Sequence, residues 1–231
     1  GTKTKKPKLN NYHASMLQNF ANDLGEENIE WRGSKKIHAV GEMLNQQGAI
    51  EPKKPSKNLQ ATLRGYQEYG LSWMQFLSDF DLNGILADDM GLGKTLQTLS
   101  HIQVHIEKEK KVKREEPLGP CLIVAPTSVV SNWIKEAAHF TPNLNITEYY
   151  GLNRKSINIK KYDVVVTSYG VLRQDAEMFA QSNLHFIILD EAQAIKNPSS
   201  KTATAAKEIP AMHKLCLTGT PIENHLGELW S

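Results

Sequence analysis

The stretch that most limits what this chain can fold into is Gly84-Ile-Leu-Ala-Asp-Asp-Met-Gly-Leu-Gly-Lys-Thr95. Gly84 to Ala87 is a short apolar run that reads as a buried strand. It breaks into a glycine-rich turn, then into a helix from about Thr95 with Leu96, Leu99, Ile102, Val104 and Ile106 as its apolar positions. Strand, glycine loop and helix in that order form the context a phosphate-binding loop requires. Gly91 and Gly93 let the backbone wrap closely, so that its N–H groups can point at phosphate oxygens. The helix N-terminus adds partial positive charge, Lys94 can reach terminal phosphates, and the Thr95 hydroxyl suits Mg²⁺. The generic pattern G-x-x-x-x-G-K-[ST] puts its first Gly where this chain has Asp88. Taken alone, the loop leaves open a chance Gly/Lys helix start.

Downstream, apolar strands alternate with helical segments. Cys121–Ala125, Asn145–Tyr150, Tyr162–Thr167, His185–Leu189 and Lys214–Leu217 read as strands. Between them Val129–Phe140, Val171–Ala180 and Thr202–Ile209 read as helices. Strands without polar alternation, such as Val164-Val165-Val166, belong to a parallel sheet covered on both faces. Upstream, Leu63-Arg-Gly-Tyr-Gln67 opens a helix bearing Tyr69, Leu71, Trp73, Met74, Phe76 and Leu77, most of whose aromatics read as core. Before it come a basic tail over 1–8, helical segments over Tyr12–Leu24 and from Ser34 to near Gly48, and a linker, Glu51–Lys57. The expected domains are therefore a small helical appendage over 1–57 and an α/β domain over 58–231.

A length of 231 residues accommodates that division, and 40% hydrophobic with 23% charged residues fits a soluble globular protein. No apolar run approaches the ~20 residues of a membrane span, and the basic start lacks the apolar core of a signal peptide. Cys121 and Cys216 sit in apolar runs without metal-type spacing, which reads as reduced core thiols in a cytoplasmic protein. The acceptor-like Asn145-Ile-Thr147 carries no weight without a secretion signal. Residues 1–57 carry 10 Lys/Arg against 6 Asp/Glu and the remainder 17 against 19, a mildly basic N-terminal region that a solvated surface explains as well as phosphate contacts do.

Ligands of open parallel sheets bind beyond the C-terminal strand ends, and the polar clusters fall there. Asp190 and Glu191 follow a hydrophobic strand, where one carboxylate can hold Mg²⁺ and the next can orient a water. An ordinary acidic strand end is the alternative, and the upstream Gly-Lys-Thr weighs against it. Thr218, Gly219 and Thr220 end the last strand with short hydroxyls that could bridge the site to a moving partner, or simply form a capped turn. Thr127 and Ser128 after one strand, and Thr167, Ser168 and Tyr169 after another, suit phosphate-backbone contacts or plain helix caps.

Together the ordered motifs Leu63-Arg-Gly-Tyr-Gln67, Asp88-Asp-Met-Gly-Leu-Gly-Lys-Thr95, Ala125-Pro-Thr-Ser-Val-Val-Ser-Asn-Trp133, Thr167-Ser-Tyr-Gly170, Asp190-Glu-Ala-Gln193 with Ile195-Lys-Asn197, and Leu217-Thr-Gly-Thr-Pro-Ile-Glu-Asn224 resemble the Swi/Snf-type helicase-related ATPases. The resemblance covers roughly residues 59–231 and is to the first of two RecA-like lobes. It implies a three-layer RecA-like P-loop domain with a mostly parallel sheet. It also makes Asp88 a family mark, with Asp89 standing where the group often has Glu and Asp190-Glu-Ala-Gln closest to bacterial and archaeal members.

Residue by residue, the resemblance implies that Arg64, Gln67, Asp89, Met90, Gly91, Leu92, Gly93, Lys94 and Thr95 bind ATP, with Gln67 reading the adenine edge. Thr95 and Asp190 would hold Mg²⁺, and Lys94, Asp190 and Glu191 would be catalytic. Gln193, Thr218, Gly219 and Thr220 would couple hydrolysis to lobe movement. Thr127, Ser128, Thr167, Ser168 and Tyr169 would lie near the track of duplex DNA, with Trp133 there for packing. Implied partners are duplex DNA, a second RecA-like lobe and a DNA-bound protein, in the cytoplasm or at the nucleoid. The chain ends at Ser231 without that second lobe and its arginine fingers, so weak nucleotide binding and slow turnover are expected of it alone. Two other readings stay open at this stage: a nucleotide-dependent protein-binding switch, and a strand-separating helicase.

Overall fold

A computed structural model of the chain describes residues 50–112, 119–195, 197 and 199–219. The helices expected between Tyr12 and Gly48, and Thr220, lie outside those residues. Helix α1 (Gly65–Asp79) precedes β1 (Gly84–Ala87) and α2 (Lys94–Glu109). Then follow β2 (Cys121–Ala125), α3 (Thr127–Phe140), β3 (Ile146–Glu148), β4 (Val164–Ser168), α4 (Tyr169–Gln174) and α5 (Ala176–Ala180). The chain continues through β5 (Leu184–Leu189), α6 (Lys201–Glu208) and β6 (Ala211–Thr218).

The six strands form one sheet in the order β1-β6-β5-β2-β4-β3, parallel at every pairing. Strands β2, β4 and β5 are buried along their whole length because helices cover both faces. Alternate residues feed two cores. Ile123, Val166 and Ile188 pack with Met74, Leu99, Ile102 and Trp133 from α1, α2 and α3. Leu122, Val165 and Ile187 pack with Leu172, Phe179 and Ala206 from α4, α5 and α6. This is the parallel sheet with helices on both faces expected from the alternating strands and helices, and the three-layer RecA-like arrangement that the resemblance implies.

Some boundaries differ from the sequence-based expectation for identifiable reasons. Gly84–Ala87 forms an edge strand with Ile85 half-buried and Ala87 exposed, not one buried on both faces. The segment Val171–Ala180, expected as one helix, is two. Asp175 leaves the helical region between them (φ −114°, ψ 27°), and its carboxylate accepts from Arg154 Nε at 2.6 Å. The expected strand Asn145–Tyr150 shortens to β3, because the Asn145 backbone N–H donates to Asp163 Oδ2 and its side chain to Lys161 O. Tyr69 is exposed rather than core.

The stretch expected as a linker lies fastened along the lobe. The Lys53 backbone N–H donates to Ser72 Oγ on α1 at 2.9 Å, and Ser56 Oγ donates to Glu107 Oε1 on α2 at 2.7 Å. Just beyond it, the Gln60 backbone N–H donates to Phe140 O on α3 at 2.8 Å. Leu59 and Leu63 bury against Leu71 beneath this strap.

Phe179 is fully buried and meets Tyr149 edge-on, with ring centroids 5.4 Å apart. Phe179→Ala should cost about 3–5 kcal/mol. Urea denaturation should show a lower midpoint with an unchanged slope.

Candidate nucleotide site

The polar ends of β1, β5 and β6 meet at one edge of the sheet. Ala87 pairs with Thr218, and Leu189 pairs with Cys216, so β6 lies between the loop after β1 and the acidic pair after β5. The loop turns through two left-handed glycines, Gly91 (φ 82°) and Gly93 (φ 76°), the second immediately preceding α2. A Cβ at Gly93 would lie 2.6 Å from Gln67 Nε2, so both φ and space demand glycine there. At Gly91 no neighbour stands within 4 Å of such a Cβ, leaving the loop face open for close approach of a ligand.

Lys94 folds back over the loop, its Nζ donating to Asp88 O at 2.7 Å and Asp89 O at 3.0 Å. Gln97 Nε2 donates to Asp88 Oδ2 at 3.2 Å, so the Asp88 carboxylate staples the loop to the first turns of α2. From the other side, Tyr66 OH and Gln67 Nε2 each donate to Leu92 O at 3.2 Å. Gln67 Oε1 in turn accepts from the Arg64 backbone N–H at 2.9 Å. The Gln67 amide is therefore engaged at both ends and buried, and reading an adenine edge would require its Leu92 contact to open. Asp89 and Met90 are exposed; Leu92 and Thr95 are half-buried.

Asp190 is only 8% exposed. Its Oδ2 accepts from Trp133 Nε1 at 2.8 Å and its Oδ1 from the Glu191 backbone N–H at 3.0 Å. Burial raises its pKa above the ordinary carboxylate value, opposed by the Trp133 hydrogen bond and by the field of Lys94. Glu191 adopts a left-handed conformation (φ 50°), uncommon without glycine and found at functional turns. Its Oε2 accepts from Gln193 Nε2, and Gln193 Oε1 accepts from Thr218 Oγ1 at 3.0 Å. Glu191, Gln193 and Thr218 thus form one hydrogen-bonded chain from β5 to β6. Gly219 closes against the loop, where a Cβ would fall 2.8 Å from Met90 Cγ and 3.8 Å from Lys94 Nζ.

The residues expected along a DNA track separate into two groups. Thr127 and Ser128 are exposed at the start of α3. The others turn inward: Thr167 Oγ1 donates to Tyr149 O at 2.8 Å, and Ser168 Oγ caps α4 by accepting from the Val171 N–H. Tyr169 OH donates to Asp190 O at 2.7 Å, which makes it a support of the acidic pair. A DNA contact through the Thr167 or Ser168 side chain is thus not what the fold presents, because both hydroxyls are buried and satisfied.

Two supports of Asp190 are not evident from sequence, the indole N–H of Trp133 and the phenol of Tyr169. The signal available in sequence is a polar-tipped aromatic following one buried strand, in a chain where a later buried strand runs into Asp190. The residues fit a magnesium–nucleotide. A lysine ammonium rests on loop carbonyls and can exchange them for phosphate oxygens, beside a helix N-terminus with open loop surface. Across β6 stands a buried carboxylate whose charge a cation would compensate.

Trp133→Phe keeps an aromatic ring, though a smaller one than the indole, and deletes the donor to Asp190 Oδ2. The buried oxygen is left one hydrogen bond short, so a loss of about 1–3 kcal/mol is expected in chemical denaturation. Trp133→Leu should cost more, because packing is lost as well.

Comparison with known proteins agrees with this geometry. The family model for the SNF2-related domain matches residues 66–231. Over 208 residues the chain is 38% identical to YwqA of Bacillus subtilis, named as a putative ATP-dependent helicase/translocase, covering 88% of this chain and 22% of that protein. It is 42% identical to the TATA-binding protein-associated factor MOT1 of Saccharomyces cerevisiae, covering 75% of this chain and 10% of that one. The SWI2/SNF2 ATPase core of Sulfolobus solfataricus, solved in complex with double-stranded DNA, superimposes with a TM-score of 0.69 at 38% identity, covering 78% of this chain and 36% of that chain. The chain thus spans only part of each protein it resembles. Its ordered site and these matches place it in the SNF2-related family, as a RecA-like ATPase lobe.

Proposed function

We propose that this chain is the nucleotide-holding lobe of an ATP-driven motor that moves along duplex DNA and displaces or remodels proteins bound there. The observation that carries the proposal is the hydrogen-bonded chain Glu191–Gln193–Thr218, set between the Lys94 loop and the buried Asp190. It connects the hydrolytic carboxylates to the strand β6, which leads into whatever follows Thr218.

In this reading Lys94 leaves the carbonyls of Asp88 and Asp89 to hold the terminal phosphates of ATP, and the first N–H groups of α2 hold their oxygens. Thr95 and Asp190 hold Mg²⁺, which when bound neutralises phosphate charge and fixes the terminal phosphoryl group in line for attack. Glu191 orients the water and takes its proton. The Trp133 hydrogen bond favours the ionised Asp190 carboxylate and aims it, while Tyr169 holds the Asp190 backbone carbonyl. Gln193 senses the change at Glu191 and passes it to Thr218.

The names of the relatives support the choice of track and cargo. One is a helicase/translocase, one is associated with the TATA-binding protein, and the solved core is bound to double-stranded DNA. The exposed hydroxyls of Thr127 and Ser128, at a helix start on the site's edge of the sheet, suit backbone contacts without base specificity. Residues 1–57 are proposed as an appendage to the motor, and a second RecA-like lobe as the partner that closes over the nucleotide.

The test is ATP hydrolysis by the longer protein containing this lobe, with duplex, single-stranded and no DNA. Duplex should stimulate it, and Lys94→Ala or Glu191→Gln should lower turnover on the order of 10²–10⁴-fold. Nucleotide-dependent partner binding indifferent to DNA would instead point to a switch, and strand displacement to an unwinding helicase. The 231-residue chain alone should hydrolyse little; DNA-stimulated turnover by it, abolished by Lys94→Ala, would remove the need for a second lobe.

A further inference from the structure

The three elements that carry the nucleotide residues at one edge of the sheet meet again at the opposite edge, around histidines. His105 lies near the C-terminal end of α2, whose first residue is Lys94; His185 and His213 lie near the starts of β5 and β6. All three are buried, and one potential ligand atom from each lies within 4.8 Å of the others. His105 Nε2 and His185 Nε2 are 2.7 Å apart. Phe186 walls the cluster, its ring edge-on to His105 (4.9 Å, 88°) and tilted against His213 (4.8 Å, 32°). A fourth imidazole, His101, sits behind them with Gln75 Nε2 donating to its Nδ1 at 2.9 Å.

We propose that His105, His185 and His213 form a structural zinc site, separate from the Mg²⁺–nucleotide site, that ties α2 to β5 and β6. Three imidazole nitrogens converging from three elements are the donor set of a tetrahedral zinc centre with one further ligand. At Zn–N bonds of about 2.0–2.1 Å, tetrahedral nitrogens stand roughly 3.3 Å apart. The His105–His185 pair, which at 2.7 Å shares one N–H between two nitrogens, therefore opens slightly as the ion enters. The shared proton moves to the other nitrogen of its own ring, so the neutral imidazoles lose none to solvent. A cavity of about 10 Å³, near the size of a single water, lies beside His213 alone of the three, lined also by His101, Met74, Leu77 and Ser78.

The surroundings suit a cation without hydrolytic work. Burial, more than repulsion among the rings, holds His101 and His105 below the ordinary imidazole range. The charges around His105 are mixed, Glu109 and Asp79 favouring a cation and Lys108 opposing it. Lys214, next to His213, directs its Nζ elsewhere, donating to Lys207 O at 2.7 Å. Three protein ligands with an open fourth position is the count of a catalytic zinc, but all three rings are buried behind Phe186 and the sheet, so the role assigned to the ion is structural.

The chain is unfolded in the presence of chelator, refolded metal-free, and titrated with Zn²⁺ in millimolar Mg²⁺. Elemental analysis should find one zinc per chain, and at zinc about a hundredfold above its dissociation constant Tm should rise by about 5–10 °C. His105→Gln and His213→Gln should abolish both effects, while His139→Gln, on the exposed face of α3, should leave them intact. Co²⁺ in the unmutated chain should give the intense visible absorption of tetrahedral nitrogen ligation, a readout that stands even where a variant fails to fold. A folded chain without stoichiometric zinc, a shift that survives His213→Gln, or a weak octahedral cobalt spectrum would each overturn the proposal.

Discussion

A carboxylate held inside a protein needs hydrogen-bond donors, and much of this lobe's upper edge exists to supply them to Asp190. Water is largely excluded there, so an unpartnered oxygen would cost on the order of 1–3 kcal/mol. Donors arrive from two directions: the indole of α3 and the backbone turn at Glu191. The indole is available only because β2 lies beside β5, since α3 follows the end of β2. The pairing of two strands far apart in sequence thus decides whether the acidic residue is held in place. What those donors leave uncompensated is net charge, and a divalent ion beside Lys94 is the chemical answer to it.

The insertion of β6 between β1 and β5 has a mechanical meaning. It separates the lysine loop from the acidic pair by the width of one strand, and it places Thr218 where both can be felt. Gly219 allows β6 to pass close to Met90 without displacing the loop. A change at the phosphate side therefore meets the last strand directly, through the Gln193 amide on one flank and the Met90 loop on the other.

Much of this is legible in the amino-acid order. Unbroken apolar runs such as Cys121–Ala125 and Val164–Val166 can only be strands covered on both faces, and each ends in polar residues that mark the functional edge. Gly91, Gly93, Lys94, Asp190 and Glu191 carry their chemistry in local spacing. Trp133 does not, because its partner lies 57 positions away and depends on strand order. The break at Asp175 is hidden for the same reason, since the Arg154 that holds its carboxylate comes from a turn beyond β3. Thr167 and Ser168 look available in sequence because hydroxyls at a strand end are ambiguous until their neighbours are known. The histidines look ordinary because the three that converge come from three different elements, α2, β5 and β6.

The strap from Lys53 to Gln60 shows that the family model and the folded body begin at different places. The likeness to the SNF2-related domain model starts at Tyr66, within α1. Leu59 and Leu63 are already part of the folded body by then, and Glu107 depends on Ser56 and Asn58 for its hydrogen bonds. A chain cut where the likeness begins would bare Leu71 and leave the outer flanks of three helices unfastened. The folded body is thus larger than the matched domain, and for anyone trimming this lobe the useful margin lies upstream of Lys53.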